Sequence, residues 1–260
     1  MLQQASFTPS TMEVDLIDSQ KTLLAMRPTL LSILTREAKK EKLFYKISAI
    51  DAASRVFEAW SADDQFHALA TTTLERLVKD EGETSMDHDG IGHQKPKSPE
   101  RVSFEETALE SLGRAFPVHF PTDPECLAKT NASVDALAER MGEKHVWKIQ
   151  LAALKGMHLV VKKSWVLGGE SVGDAGQSSM DVESFLKRVV GPICFNLGNK
   201  KYVAIRKCAV DILDKIFENE SCRKKFRETL KTFQKPLTDM SSDVNIELQK
   251  KSEELLKLIT

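Results

Sequence analysis

The chain has 260 residues, 37 Lys and Arg against 38 Asp and Glu, and a formal net charge of −1 at neutral pH. That balance disfavours a dedicated nucleic-acid binder or a protein held on anionic lipid, both of which carry a clear basic excess. Aromatics make up 7%, and only 12 Gly and 9 Pro are present, which argues against a β-sandwich or barrel built on frequent turns.

In chain order, the first segment, "MLQQASFTPSTMEVD", has neither a basic nor an apolar stretch of the kind that starts a signal peptide, and residues 1–20 are expected to be disordered. A helical stretch over 21–39 leads into "AIDAASRVF", which opens at Ala49. A second helical stretch, 63–79, is followed by a polar run from about Asp80 to Glu100 and then by "ALESLGRAF" from Ala108. The stretch 123–142 precedes "ALKGMHLVV" from Ala153. A further polar run, Gly168 to Ser179, separates it from the stretch 180–198 and "AVDILDKIF" from Ala209. The last stretch, 219–239, precedes a weaker copy, "SEELLKLIT", from Ser252.

The copies are spaced by 59, 45, 56 and 43 residues, and both long spacings contain one of the polar runs. Aligned on the opening residue, every copy is apolar at offsets −6, −4, +4 and +7. Offsets −4, 0, +4 and +7 trace one face of an α-helix, and a small residue at the anchor lets a neighbouring helix come close. An acid at +2 and a base at +6 in Asp51/Arg55, Glu110/Arg114 and Asp211/Lys215 mark the solvated side. Pro192 and Pro236 sit 17 and 16 residues before their anchors and predict kinks in the helices that contain them.

A helix pair repeating near every 45 residues is the HEAT type of α-solenoid. The expected fold is therefore all-α: about five HEAT-type helix pairs over 21–260, with two flexible insertions near 80–100 and 168–179. The insertions are polar and too poor in apolar residues to fold alone.

Chemistry is sparse. No phosphate-binding loop, nucleophile elbow, zincin motif or paired-cysteine zinc motif occurs, so no catalytic residue, metal site or cofactor is expected. Cys126, Cys194, Cys208 and Cys222 are dispersed and read as reduced, buried thiols. Asp87, His88, Asp89 and His93 cluster in the first insertion, where a loop supplies no rigid support for a metal. His158 falls within a repeated helix and reads as a half-buried histidine. Asn131 and Asn219 head sequons that read as accidental. The basic runs "KKYVAIRK" and "CRKKF" read as solvated repeat edges or as a docking surface for an acidic partner. Ser98, in "KPKSPE", is a candidate phosphorylation site.

"KLFYKISAIDAASRVF", "ALESLGRAFP", "WKIQLAALKGM" and "LGNKKYVAIRKCAVDIL" occur in this order, and together they resemble the C-terminal part of the large HEAT-repeat proteasome adaptor and scaffold family, from about Leu30 onward. The resemblance implies a non-enzymatic binding protein that associates with the 26S proteasome, bridges its regulatory and core particles, and resides in cytoplasm and nucleus. It supplies no catalytic residues. A HEAT-repeat nuclear transport receptor, another protein-complex scaffold and an enzyme hidden in a helical fold are the competing readings.

Overall fold

The computed structural model describes residues 98–121, 123–167 and 181–259, together with helical positions at 36, 47–52, 54–55, 70 and 73–74. The N-terminal 20 residues, nearly all of both insertions, and most of the first two helical stretches lie outside the described residues.

Helix starts follow the local chemistry. Helix α1 (Pro99–Ala115) opens with Ser98 accepting from the Arg101 amide and with a proline at its first position. The last two residues of the first polar run therefore belong to this helix. Helix α2 (Pro124–Arg140) repeats the device with Asp123 and Pro124. Helix α4 (Val182–Leu197) is capped by Asp181. Between them stand helix α3 (Trp147–Val161) and a 3₁₀ turn, Ser164–Leu167. Helix α5 (Val203–Glu218) follows α4. Then come three short helices, α6 (Glu220–Lys225), α7 (Arg227–Leu230) and α8 (Gln234–Met240), and finally α9 (Ile246–Ile259). No strand occurs among the described residues.

The helices form two layers. In one, α1 packs on α3, α3 on α5 and α5 on α9; in the other, α2 packs on α4 and α4 on α8. Helices α3, α5 and α9, which with α1 make up the first layer (the α1-type helices), each also pack on the helix before them in the other layer (the α2-type helices α2, α4 and α8), and one continuous core runs from Ala49 to Ile259. The anchors Ala108, Ala153, Ala209 and Ser252 are fully buried, and Ala49 is nearly so. At −4, Phe104, Ile149, Ile205 and Leu248 are buried; at +7, Ala115, Val160, Ile216 and Ile259 are as well. The repeat read from sequence is thus the core stripe of one helix layer.

Two glycines set the spacing of that layer. A Cβ on Gly113 would stand 2.3 Å from the Gly156 carbonyl oxygen, and one on Gly156 would stand 2.5 Å from that of Leu109. Helices α1 and α3 therefore touch backbone to backbone, which only glycine permits.

The two helix-interior prolines behave differently. Helix α4 continues through Pro192. The stretch 219–239, expected as one kinked helix, is instead broken at Phe226 (φ −113°, ψ 28°) and again by a 3₁₀ turn at Lys231–Phe233. Pro236 then falls in the first turn of α8, where a missing N–H costs nothing. The Thr232 carbonyl, which Pro236 has no N–H to reach, faces Cys194 Sγ at 4.0 Å.

Candidate interaction surface

The solvated side of the α1-type layer carries a chain of charges that crosses from repeat to repeat. Asp51 receives Arg55 Nε at 2.9 Å and Arg114 Nη1 at 2.7 Å, and Arg114 also donates to Ser54 Oγ. Burial raises the Asp51 pKa, but the hydrogen bonds from Arg55 and Arg114 outweigh it, and the carboxyl ends below its usual range. Glu110 lies between Arg114 and Lys155, whose Nζ stands 2.8 Å away. Farther along, Lys251 reaches Asp214 at 2.8 Å and Lys207 reaches Glu247 at 2.7 Å. The expected Asp211–Lys215 pair does not form; Lys215 turns one step on to Glu218 at 2.7 Å. A shallow polar groove of about 490 Å³ lies between the first two repeats, lined by Asp51, Arg55, Glu106, Glu110 and Arg114.

The edge where the chain turns from each α2-type helix into its α1-type partner is different in character. Val146, Trp147 and Val203 are 50%, 37% and 41% exposed, and Val244 and Ile246 continue the line. Trp147 and Tyr202, from neighbouring repeats, stack at 4.8 Å with their planes 19° apart. Beneath them the turns are strapped together. Buried Asn196 donates to the Met141 carbonyl at 2.8 Å. Arg206 donates to the Asn199 carbonyl at 2.7 Å and holds Asp243 through both Nε and Nη2, at 2.8 and 3.0 Å. Asn199 Oδ1 accepts the Lys201 and Tyr202 amides. The exposed apolar residues therefore sit on a fixed frame.

Sequence reasoning reached one half of this edge, the basic run "KKYVAIRK" at Lys200–Lys207, and missed the exposed apolar half, although its signal was present. Trp147, Val203 and Ile246 are the −6 residues of their copies. At 100° per residue, offset −6 stands about 120° from the anchor, far off the core stripe. Among the described residues at this offset, only Val102 packs on the core, because α1 begins three residues earlier in its repeat than α3 or α5 does.

The other candidate residues are placed as follows. Ser98 is exposed and engaged as the α1 cap. His158 is half-buried, and burial, reinforced by Lys162, lowers its pKa. Burial pushes the thiols of Cys194 and Cys222 up to about 11 and that of Cys208 to about 12, which leaves them poor nucleophiles. Asn131 is tied within α2 and to Arg188, and Asn219 caps α6. The Asp87, His88, Asp89 and His93 cluster lies outside the described residues. Among those described, no group of His, Cys, Asp or Glu is arranged to hold a metal, and no helix is long and apolar enough to cross a membrane.

Comparison with known proteins bears on what such a surface serves. The model of the family described as ECM29, C-terminal ARM-like repeats, matches residues 21–254. The chain belongs to this family. The repeats are thus ARM-like, a close relation of the HEAT type that the two-helix spacing suggested. A human protein, "Proteasome adapter and scaffold protein ECM29", is 24% identical over 236 residues, which cover 88% of this chain and 12% of the human protein. The chain accordingly spans about an eighth of that relative's length. Among solved structures, a computationally designed armadillo repeat protein for modular peptide recognition superposes with a TM-score of 0.52 at 16% identity, over 88% of this chain and 82% of its own. A second designed armadillo repeat protein, in complex with the peptide (KR)4, matches with the same values. These likenesses concern the fold.

Proposed function

We propose that this ARM-like segment is a non-enzymatic scaffold module through which its protein binds the 26S proteasome and helps to join regulatory and core particles. The observation that carries this reading is the family match over residues 21–254, with a proteasome adaptor and scaffold as the human relative. The physical chemistry is compatible with it. The stacked repeats give a long, internally strapped surface, and the described residues bring together no nucleophile, base and oxyanion donors. Cytoplasm and nucleus, where proteasomes work, are the proposed locations.

The test is to tag the protein at its own locus and purify it gently at low salt. Proteasome subunits should co-purify in proportion to the tagged protein. Their absence would end the proteasome assignment while leaving the fold untouched.

A further inference from the structure

The exposed edge at Trp147 and Tyr202 breaks two local rules at once. Helices α3 and α5 are the long helices whose cap positions, Val146 and Tyr202, provide no side-chain hydrogen bond. By contrast, α1, α2 and α4 are each capped by Ser or Asp. Replacing a good cap by an apolar residue costs about 1 kcal/mol; Tyr202 offsets part of this by packing against the core, whereas Val146 stays half exposed and offsets little. Sites where local chemistry is violated without a folding gain are where function is expected.

The exposure is not an effect of the chain end. Trp147 and Val203 belong to α3 and α5, which are flanked on both sides by other helices of their layer. They remain exposed because they sit at the turn edge, which stacking of further repeats does not cover.

The charges around this ridge are mainly positive. Lys148 lies 6.0 Å from the Trp147 ring centre and Lys201 5.2 Å from that of Tyr202. Lys148, Lys200 and Lys201 enter no ion pair with a described carboxylate. Two uncapped helix N-termini add partial positive charge at the same place. Of the acids on this edge, Glu247 is held by Lys207 and Asp243 is buried under Arg206. Glu143 is the exposed acid nearest in sequence to Trp147.

We propose that this ridge docks an acidic segment of a partner protein, in which apolar anchor residues alternate with carboxylates. The anchors lie against the Trp147–Tyr202 stack and Val203, and the carboxylates meet Lys148, Lys200, Lys201 and the free amides at the starts of α3 and α5. Aromatic stacks of this kind concentrate binding energy, while the lysines select the sign of the partner. The proposal rests on the scaffold reading and gives it a surface and a ligand chemistry.

The experiment uses the purified 260-residue chain and three fluorescein-labelled synthetic peptides. One alternates Asp and Glu with Leu and Phe; one keeps Leu and Phe but carries Lys for every acid; one keeps the acids but carries Ser for every anchor. Anisotropy should show saturable, salt-sensitive binding of the first alone. Trp147→Ser and the double variant Lys200→Glu/Lys201→Glu should each weaken it about tenfold or more, with helical circular dichroism and melting temperature unchanged. Failure of the first peptide to bind overturns the proposal. So does equal binding by either variant, or salt-insensitive binding of all three peptides. So does self-association of the chain that is lost in Trp147→Ser, since the occupant is then a second copy. No proteasome is present in this assay, so its failure does not bear on the proteasome reading, which has its own test above.

Discussion

Replacing Gly113 or Gly156 by alanine sets two effects of opposite sign against each other. Both residues lie inside helices, where Ala is favoured over Gly by about 1 kcal/mol. Against this, a Cβ on Gly113 would meet the Gly156 oxygen at 2.3 Å and its Cα at 2.5 Å. Both atoms are backbone, so no side chain can turn aside. Relief requires α1 and α3 to separate by roughly 1 Å, a gap that forfeits a quarter to a half of each contact's dispersion energy. The loss would be shared by Leu109, Leu112, Ala153 and Met157, all fully buried. Overpacking of this kind costs about 1–3 kcal/mol and more where backbone must move. We therefore expect a net loss of about 2–3 kcal/mol for Gly113→Ala, a fall in melting temperature of about 4–12 °C for a chain of this size. Gly156→Ala meets the Leu109 oxygen at 2.5 Å and Leu137 Cδ2 at 2.7 Å, and should cost a similar amount. Calorimetry or thermal circular dichroism reads the effect. A melting temperature equal to or above that of the unaltered chain, for both variants, would refute backbone contact between these helices.

Other perturbations separate the two sides of the repeated helix. Ala153→Asp places an unpaired charge at a fully buried anchor and should prevent cooperative folding, whereas Lys155→Ala, which removes an exposed partner of Glu110, should change stability by less than about 0.5 kcal/mol; equal melting temperatures would show the faces to be misassigned. Arg206→Met leaves Asp243 without its counter-charge in a nearly water-free turn and should cost about 3–5 kcal/mol. Adding Asp243→Asn should recover much of that loss, and a double variant no more stable than Arg206→Met, by chemical denaturation, would count against the strap. For His158 the folded pKa lies below the unfolded one, chiefly through burial. The unfolded chain then binds the proton more readily, so this group's contribution is complete above about pH 6.5 and declines as pH falls toward the folded pKa. Denaturation at pH 7.5 and 5.5 should show a smaller pH difference for His158→Gln than for the unaltered chain, and an equal difference would exclude the assignment.

The core stripe could be read from sequence because it is a property of single helices. Ala108, Ala153, Ala209 and Ser252, with their apolar neighbours at −4 and +7, are buried because a 3.6-residue period fixes which side chains share a face, whatever the helix packs on. Properties that depend on two helices were not legible. Arg114 was expected to serve Glu110 within its own helix, but its shorter contact is with Asp51 in the preceding repeat. A choice within one helix was equally hidden: Lys215, expected on Asp211, lies on Glu218. Which partner wins is set by rotamers and by the crossing of neighbouring helices, and neither is written in residue spacing. The break at Phe226 escaped for a related reason. The stretch 219–239 has a helical composition, and no proline or glycine marks Phe226, ten residues before Pro236, where the chain departs from helical backbone.

The straps and the glycine contact both fix how one repeat sits on the next. Helices α1 and α3 approach to backbone contact at Gly113 and Gly156, whereas α2 and α4 in the other layer meet through longer side chains, Arg188 of α4 reaching Asn131 and Asp135 of α2. Because Asn196 and Arg206 fasten the turns on which the Trp147–Tyr202 ridge stands, a partner seated there need order no turn of this chain on binding. Less entropy is lost at the moment of association, a property that suits a surface meant to hold a large assembly.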